Sequence, residues 1–153
     1  MKMRILFVCM GNICRSPSAE AVFRFMAGDR PIEVDSAGTE DFHTGDPPSA
    51  RAVEEGAKRG YDLTPLRARQ IVRDDFGRFD LIVVMDEENR AHVEALRPLG
   101  DETPVRLFME FVPDPPMRQV PDPYYSGDYE GALDLIEMAS HHLLRRLDRL
   151  SDG

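Results

Sequence analysis

Apolar and polar positions follow two different periods along this chain, which predicts an α/β fold. Met3–Val8 and Leu81–Met85 are short, largely apolar runs, typical of strands that are buried on both faces. Ile32–Ala37 alternates with a period of two, and Val105–Met109 is a further short strand. Because apolar residues at helical spacing lie between these runs, the pattern predicts a parallel sheet covered by helices.

Helical segments separate the predicted strands. The first helix is expected to start at Ser16 and Pro17, because serine is a favoured N-cap and proline is tolerated in the first turn, and to run to Ala27. A proline-rich loop spans residues 113–123. The other predicted helices have approximate bounds of 49–60, 71–79 (a short helix or turn), 86–97 and 128–150.

The first strand and the first helix are joined by the segment C-M-G-N-I-C-R-S-P, residues 9–17. Backbone N–H groups in such a strand-to-helix loop point towards its centre and bind anions. Cys9 begins the loop, and the helix N-terminus and Arg15 would favour its thiolate form. A thiolate can attack phosphorus, and a planar guanidinium binds two phosphate oxygens at once. The loop therefore predicts a nucleophile beneath a bound phosphate.

Three other residues of the loop fit the same chemistry. Gly11 permits close approach of the backbone or a positive φ, while Asn12 tolerates left-handed geometry and can brace the loop with its amide. Ser16 is expected to donate a hydrogen bond to the Cys9 thiolate and also to cap the helix. The alternative is a core cysteine beside a surface arginine; the strand before the loop, G-N within it and S-P after it favour the phosphate loop.

The second cysteine of the loop, Cys14, has three interpretations. It packs in the core, or it protects Cys9 by forming a disulfide with it, or it binds a metal. Metal binding has the least support, because no Cys/His cluster accompanies the pair in the sequence. Packing and protection remain open on the sequence alone.

Composition and charge narrow the classes of function. With 153 residues, 42% of them hydrophobic and 31% charged, the chain is expected to form one globular domain over residues 1–153. A net charge of −9 argues against nucleic-acid binding, which usually needs a basic face. No apolar run reaches the roughly 20 residues of a membrane helix, and two cysteines fit a reducing compartment. We therefore expect a cytoplasmic protein without membrane contact.

The motif V-C-M-G-N-I-C-R-S-P resembles the signature of the low-molecular-weight protein tyrosine phosphatases. Similar motifs are S-A-G-T at 36–39, A-R-Q-I at 68–71, V-M-D-E-E-N at 84–89 and D-P-Y-Y at 122–125, and they extend over nearly the whole chain. The resemblance implies a single three-layer domain with a four-stranded parallel sheet, order 2-1-3-4, flanked by helices. It also implies a phosphate-binding loop after the first strand, no metal or other cofactor, and a phosphocysteine intermediate.

A general acid is also required, because an aryl leaving group needs a proton and water must later lose one. The tripeptide P-D-P occurs twice, around Asp114 and Asp122, and spacing alone does not choose between them. Tyr124 and Tyr125 favour Asp122, because their rings can wall a slot for a phenyl group, although both can also serve only to pack the loop. The family resemblance places the acid at Asp122.

The resemblance also assigns the substrate slot. Met10 and Ile13 lie at the mouth of the loop and Phe42 forms an aromatic wall; an apolar Ile13 fits phosphotyrosine, whereas relatives that act on phosphoarginine carry threonine there. Leu66 stands where the family often has a histidine bonded to the loop, so this loop is expected to be braced differently. The implied substrate-binding set is Met10, Gly11, Asn12, Ile13, Cys14, Ser16, Phe42, Tyr124 and Tyr125.

The sequence thus predicts a metal-independent protein tyrosine phosphatase with Cys9, Arg15 and Asp122 as catalytic residues. The expected substrate is a phosphotyrosine protein, a tyrosine kinase being one candidate, and phosphate or vanadate is the expected site ligand. Two other classes have less support. A thioredoxin-coupled arsenate reductase needs more cysteines than Cys9 and Cys14, and a phosphoprotein-binding module without activity would lack one of the three catalytic residues.

The sequence predicts a monomer or weak self-association, for which tyrosines 124 and 125 are the candidate contact. The histidines match no catalytic role in the resemblance. We interpret them as surface or packing residues, namely His43, His92, His141 and His142.

Overall fold

A four-stranded parallel sheet, in the order β2-β1-β3-β4, forms the centre of the computed structural model, which describes residues 2–152. Its strands are β1 (Met3–Cys9), β2 (Ile32–Gly38), β3 (Leu81–Val84) and β4 (Val105–Leu107). β1 is central, so that Ile5 is paired with Val34 on one side and with Leu81 on the other. The fold class and strand order implied by the family resemblance are confirmed.

Helices connect the strands and cover the sheet. Ser49 accepts a hydrogen bond from the Ala52 amide at the start of α2, and Asp86 does the same for Asn89 at the start of α4. No helix within residues 2–152 is both long and apolar enough to cross a membrane. The helical elements are α1 (Arg15–Ala27), α2 (Ala50–Lys58), α3 (Asp75–Arg78), α4 (Glu87–Leu96), a 3₁₀ turn (Phe108–Phe111), α5 (Pro123–Ser126) and α6 (Tyr129–Asp152).

Two apolar layers form because successive side chains of β1 point to opposite faces of the sheet. On one face Phe7 packs against Phe23 of α1 and Phe108 of the 3₁₀ turn, with ring centroids 5.7 and 5.1 Å apart. On the other face Val8 belongs to a cluster that includes Val93 of α4. β1 is apolar from Ile5 to Cys9 because both of its faces are covered there.

Two local predictions are wrong and one short helix was not predicted, each for a physical reason. Cys14 rather than Ser16 is the N-cap of α1, and no side chain caps this helix, because the Ser16 hydroxyl is directed to the loop. β4 ends at Leu107, because the buried Phe108 and Met109 continue into the 3₁₀ turn. The proline-rich loop is irregular up to Asp122, as expected, and the four-residue helix α5 after it was missed because it is too short to show a helical period.

Candidate active site

The loop predicted to bind phosphate connects the carboxyl end of β1 directly to α1. Cys9 is the last residue of the strand and Arg15 is the first residue of the helix. Both are buried, with 3% and 2% of their surfaces exposed. The central strand and the helix therefore hold the thiol and the guanidinium at the two ends of one short loop.

Hydrogen-bond donors converge on the sulfur of Cys9. The backbone N–H of Asn12 donates to Sγ at 3.3 Å, and Ser16 Oγ lies 3.0 Å from the same atom. Asn12 Nδ2 donates to Ser16 Oγ at 2.8 Å, which leaves the hydroxyl proton for Cys9 Sγ or for the Ala37 carbonyl at 3.3 Å. This arrangement stabilises negative charge on the sulfur.

Asn12 also holds the loop in place, through its backbone conformation and through both polar atoms of its side chain. Its φ of 57° lies in the left-handed region, as expected for an asparagine there. Nδ2 donates to Ser36 Oγ at 3.0 Å, and Oδ1 accepts from the Arg69 amide at 3.0 Å. Leu66 instead packs against the core. The loop is thus braced by β2 and by the A-R-Q-I segment rather than by the side chain of residue 66.

Behind Ser36, a buried carboxylate extends this network away from the loop. Ser36 Oγ donates to Glu20 Oε1 at 2.6 Å, and Arg24 Nη2 donates to Glu20 Oε2 at 2.6 Å. Glu20 is 4% exposed, so its charge requires the partner that Arg24 provides. Only the i,i+4 spacing of the two residues on α1 could have indicated this pair from the sequence.

The end of β2 approaches the loop so closely that only glycine fits there. A Cβ on Gly38 would lie 2.8 Å from the Met10 carbonyl oxygen and 3.2 Å from Asn12 Cβ. Two hydrogen bonds follow from this approach: the Thr39 and Glu40 amides donate to the Cys9 and Met10 carbonyls. The second strand therefore sets the position of the loop backbone.

The Arg15 guanidinium is fixed by partners from two other segments. Nη1 donates to Asp86 Oδ2 at 2.7 Å and to the Val120 carbonyl at 2.9 Å, and Nη2 donates to Asp122 Oδ2 at 3.4 Å. Nε is buried without a hydrogen-bond partner among the described residues. Burial opposes the charge, but Cys9, Asp86 and Asp122 outweigh it and raise the Arg15 pKa above its ordinary value. The cation is therefore permanent.

Asp122 is held at the N-terminus of α5. Its Oδ1 accepts from the Tyr124 amide at 3.1 Å, while its Oδ2 faces Arg15. Its side chain is 19% exposed. Asp114 is an exposed residue with a φ of 50° in the preceding loop, and it does not line the cleft at Cys9. Of the two P-D-P aspartates, only Asp122 therefore lies beside the thiol.

A cleft of about 170 Å³ lies above the loop. Aromatic side chains rise around it and remain largely exposed: Phe42 (72%), Tyr124 (60%) and Tyr125 (72%). Asn12 and Ser16 belong to the substrate-binding set implied by the sequence, but they do not line the cleft. Their side chains point beneath the loop, towards Cys9 and Ser36. The lining residues are Cys9, Met10, Gly11, Ile13, Cys14, Phe42, His43, Asp122, Tyr124 and Tyr125.

Comparison with known proteins agrees with this geometry. Residues 4–152 match the family model described as low molecular weight phosphotyrosine protein phosphatase. The low molecular weight protein-tyrosine-phosphatase YfkJ of Bacillus subtilis is 36% identical over 95% of this chain and 96% of its own. A putative enzyme of the same kind from Synechocystis, slr0328, is 41% identical over 96% of this chain and 98% of its own.

Solved structures give the same result. The crystal structure of Bacillus subtilis YfkJ covers 97% of this chain and 96% of its own with a TM-score of 0.93. A protein tyrosine phosphatase from Entamoeba histolytica, with Hepes in its active site, covers 98% of this chain and 99% of its own with a TM-score of 0.91 and 33% identity. The chain belongs to the low molecular weight protein-tyrosine phosphatases. It is therefore a hydrolase of a family that acts on phosphoproteins.

Two residues at the active site of this phosphatase were missed from the sequence. Asp86 follows β3, which lies beside β1 in the sheet, so that its position at that carboxyl end could have indicated a site residue. His43 lines the cleft beside Gly11, and its Nδ1 lies 3.3 Å from Asp46 Oδ2. Nothing in the sequence placed His43 there, because it lies in an irregular segment after β2.

Cys14 of the phosphatase is also a free, buried thiol. Its Sγ donates to Ser49 Oγ at 3.4 Å and lies 3.7 Å from the Tyr129 hydroxyl. Burial raises the pKa of Cys14, so the thiol form prevails at neutral pH and the residue is a poor nucleophile. Protection of Cys9 by Cys14, like weak self-association through the exposed tyrosines 124 and 125, stays a prediction.

Proposed function

We propose that this phosphatase hydrolyses phosphotyrosine monoesters in two steps, with Cys9 as nucleophile and Asp122 as general acid and base. The observation that carries the proposal is the convergence of Cys9 and Asp122 on one cleft, above a loop whose Arg15 is already held in position. Nucleophile, anion-binding group and acid come from β1, α1 and the start of α5. Their meeting at one cleft supports attack by the thiol on a phosphate that the arginine holds and the acid faces.

The phosphate would bind between the loop amides and one edge of Arg15. Nη1 is occupied by Asp86 and Val120, so the edge formed by Nε and Nη2 remains to grip two phosphate oxygens. Nη2 would then exchange Asp122 for a phosphate oxygen. Three equatorial oxygens carry the developing charge in phosphoryl transfer, and fixed donors stabilise it without reorganisation.

In the first step the Cys9 thiolate attacks phosphorus in line with the leaving phenol. The S–P bond forms as the P–O bond to the aryl group breaks, and Asp122 gives its proton to the phenolate oxygen. Oδ1 accepts the hydrogen bond that caps α5, so Oδ2 is the oxygen that would carry this proton. A carboxyl group in this position avoids release of an unprotonated phenolate.

In the second step water hydrolyses the phosphocysteine. Asp122 takes a proton from the water, whose oxygen attacks phosphorus while the S–P bond breaks. The Asn12 amide and the Ser16 hydroxyl donate to the departing sulfur. Free phosphate leaves, and Cys9 and Asp122 return to their initial protonation states. Neither step as proposed requires a metal or another cofactor.

The shape of the cleft favours an aryl phosphate as substrate. Phe42, Tyr124 and Tyr125 flank a slot above Ile13, and a phenyl ring fits between such faces. A phosphoarginine guanidinium would need polar partners that an isoleucine cannot offer. We therefore assign phosphotyrosine in a protein as the substrate, a tyrosine kinase being one candidate.

The test is hydrolysis of p-nitrophenyl phosphate with EDTA present and vanadate as inhibitor. The native protein should turn over in EDTA and lose activity with vanadate, because vanadate mimics the pentacoordinate transition state. Asp122→Ala should lower kcat by about 10²- to 10⁴-fold, the range for a general acid. Asp114→Ala is the matched control, since it removes the other P-D-P carboxylate, and it should retain native kcat.

Equal effects of the two aspartate variants would reject Asp122 as the acid. Loss of turnover in EDTA, restored by a metal, would reject the metal-independent mechanism. A substrate panel completes the test, since a higher kcat/KM for phosphoarginine than for a phosphotyrosine peptide would reject the substrate assignment.

A further inference from the structure

A second concave surface, remote from Cys9, collects positive charge on an otherwise acidic protein. It is a groove of about 430 Å³ between the C-terminal half of α6 and the segment after β4. We call it the arginine groove; its walls are Phe111, Pro113, His142, Arg145, Arg146 and Arg149, with one carboxylate, Glu110. None of these residues has a role in the proposed reaction.

The three arginines of the groove are free to bind a ligand. Among the described side chains, none of the three forms an ion pair, whereas Glu110 is already paired with Arg90. Arg146 lies over the Phe111 ring, 5.7 Å from its centroid, which holds one guanidinium against an apolar wall. Because the whole chain carries a net charge of −9, this concentration of unpaired cations is a local exception.

A neighbouring cleft of about 650 Å³ adjoins the arginine groove. The two share Glu110, and the second is lined also by Arg118 and Gln119. Gln119 precedes Asp122 by three residues, a span of at most about 11 Å. The two concave surfaces therefore adjoin at Glu110 and form a track whose nearer end, at Gln119, lies three residues before the general acid.

The length of α6 gives the distance between the phosphate loop and the arginine groove. Tyr129 begins α6 and contacts the phosphate loop, with its hydroxyl 3.7 Å from Cys14 Sγ. Arg145 lies 16 residues further along, about 24 Å at the helical rise. An extended peptide covers this distance in about seven residues.

We propose that the arginine groove binds an acidic segment of the phosphoprotein substrate, placed about seven or more residues from the phosphotyrosine. The inference rests on the proposed phosphotyrosine phosphatase function and adds a sequence preference to it. The guanidiniums would contact carboxylates of the peptide, while Phe111 and Pro113 pack against its aliphatic carbons. Such a contact lowers KM without changing the chemical step, because it is equally strong in the ground and transition states.

The test compares phosphotyrosine peptides that differ only in the position of a four-glutamate block. In two peptides the block lies seven to ten residues from the phosphotyrosine, on its N-terminal or its C-terminal side, and in a third it lies directly beside the phosphotyrosine. For each peptide, the reference has glutamines in place of the glutamates. At low salt, one distal-block peptide should have a KM about three- to tenfold lower than its glutamine form, at equal kcat. The advantage should disappear in high salt.

Arg145→Gln with Arg149→Gln should abolish this advantage and leave the kcat/KM for p-nitrophenyl phosphate unchanged. Lys2→Gln with Arg67→Gln is the matched control, because it removes two exposed cations outside the groove, and it should keep the advantage.

Equal KM for the distal glutamate and glutamine peptides, with both hydrolysed, would overturn the groove proposal and leave the phosphatase proposal standing. The groove proposal would also be overturned if the control double variant lost the KM advantage as completely as the double variant in the groove. Binding of a single-stranded oligonucleotide in place of the acidic peptide would overturn it as well. No turnover of any phosphotyrosine peptide would overturn the proposed function itself, and with it the groove's role.

Discussion

The phosphate loop and the acid loop face each other across one cleft, but they are built in opposite ways. The loop at residues 9–16 is mostly buried and is hydrogen-bonded to β2, to the A-R-Q-I segment and within itself. The loop at 113–122 is rich in proline and mostly exposed, and beyond the Val120 carbonyl it contacts the site chiefly through Asp122.

The difference reflects what each loop does in the proposed mechanism. Phosphate has the same shape in every substrate, so its donors gain from being fixed before binding. The acid and the aromatic residues beside it meet the variable part of a phosphoprotein, where a rigid wall would exclude substrates. Changes in the phosphate loop should therefore damage kcat, and changes in the acid loop beyond Asp122 should alter KM.

The largest effect should come from the nucleophile. Cys9→Ser should lower kcat by more than about 10⁴-fold, because an alkoxide is not available at neutral pH and no other residue replaces it. Cys14→Ser is the matched change in the same loop and should keep most of the activity. Phosphopeptide turnover, normalised to folded protein, gives the measurement; substantial activity in the serine variant at position 9 would refute the covalent mechanism.

The second effect concerns the shape of the cation. Arg15→Lys keeps the charge near Asp86 but lacks the planar fork, so kcat should fall by about 10²- to 10³-fold. Vanadate inhibition should weaken in parallel, since the same donors bind both anions. A variant with native kcat would show that positive charge alone suffices, and circular dichroism checks that the buried cation is still accommodated.

An intermediate loss of kcat is expected from a substitution that displaces the phosphate loop but leaves its side chains unchanged. Gly38→Ala places a methyl group 2.8 Å from the Met10 carbonyl oxygen, so the loop must shift. A displacement near 1 Å can cost about 10²-fold in kcat. Gly77→Ala is the control, because a Cβ there meets nothing within 4 Å. Similar kcat values for the two alanine variants would argue against the rigid loop.

The smallest effect should lie on the acid side. Tyr124→Leu removes an exposed ring that packs edge-on against Tyr125, with centroids 5.1 Å apart. We expect KM for aryl phosphates to rise by about two- to tenfold at nearly constant kcat, the range of one aromatic contact. A large fall in kcat would instead mean that the Tyr124 side chain helps to position Asp122. The two residues are already joined by the hydrogen bond from the Tyr124 backbone amide to Asp122 Oδ1.

The sequence predicted the central features of this molecule because they depend on local signals. The continuous apolar run of β3, the Asp86 cap of α4 and the loop motif after β1 are all readable within ten residues. Prediction of the strand order and of the family required motifs at several places in the chain. The sequence also singled out Leu66 as a departure from the family pattern, and in the structure this side chain packs against the core.

Features made by distant segments could not be read in the same way. The Asp86–Arg15 pair joins residues 71 apart, and the cleft position of His43 depends on how the segment after β2 folds back to Gly11. Ser16 matched a capping pattern, but its hydroxyl has a stronger use beside Cys9. Local sequence patterns fail here because contacts between distant segments decide which hydrogen-bond partners these side chains have.

The position of β1 between β2 and β3 has a consequence for how activity returns on refolding. Arg15 takes its partners from residues 71, 105 and 107 positions away, and Asn12 takes one from 57 away. Closing such long loops is entropically costly before the contacts reward it. We therefore expect enzymatic turnover to recover with the docking of the C-terminal half of the chain, later than any helical signal from α1.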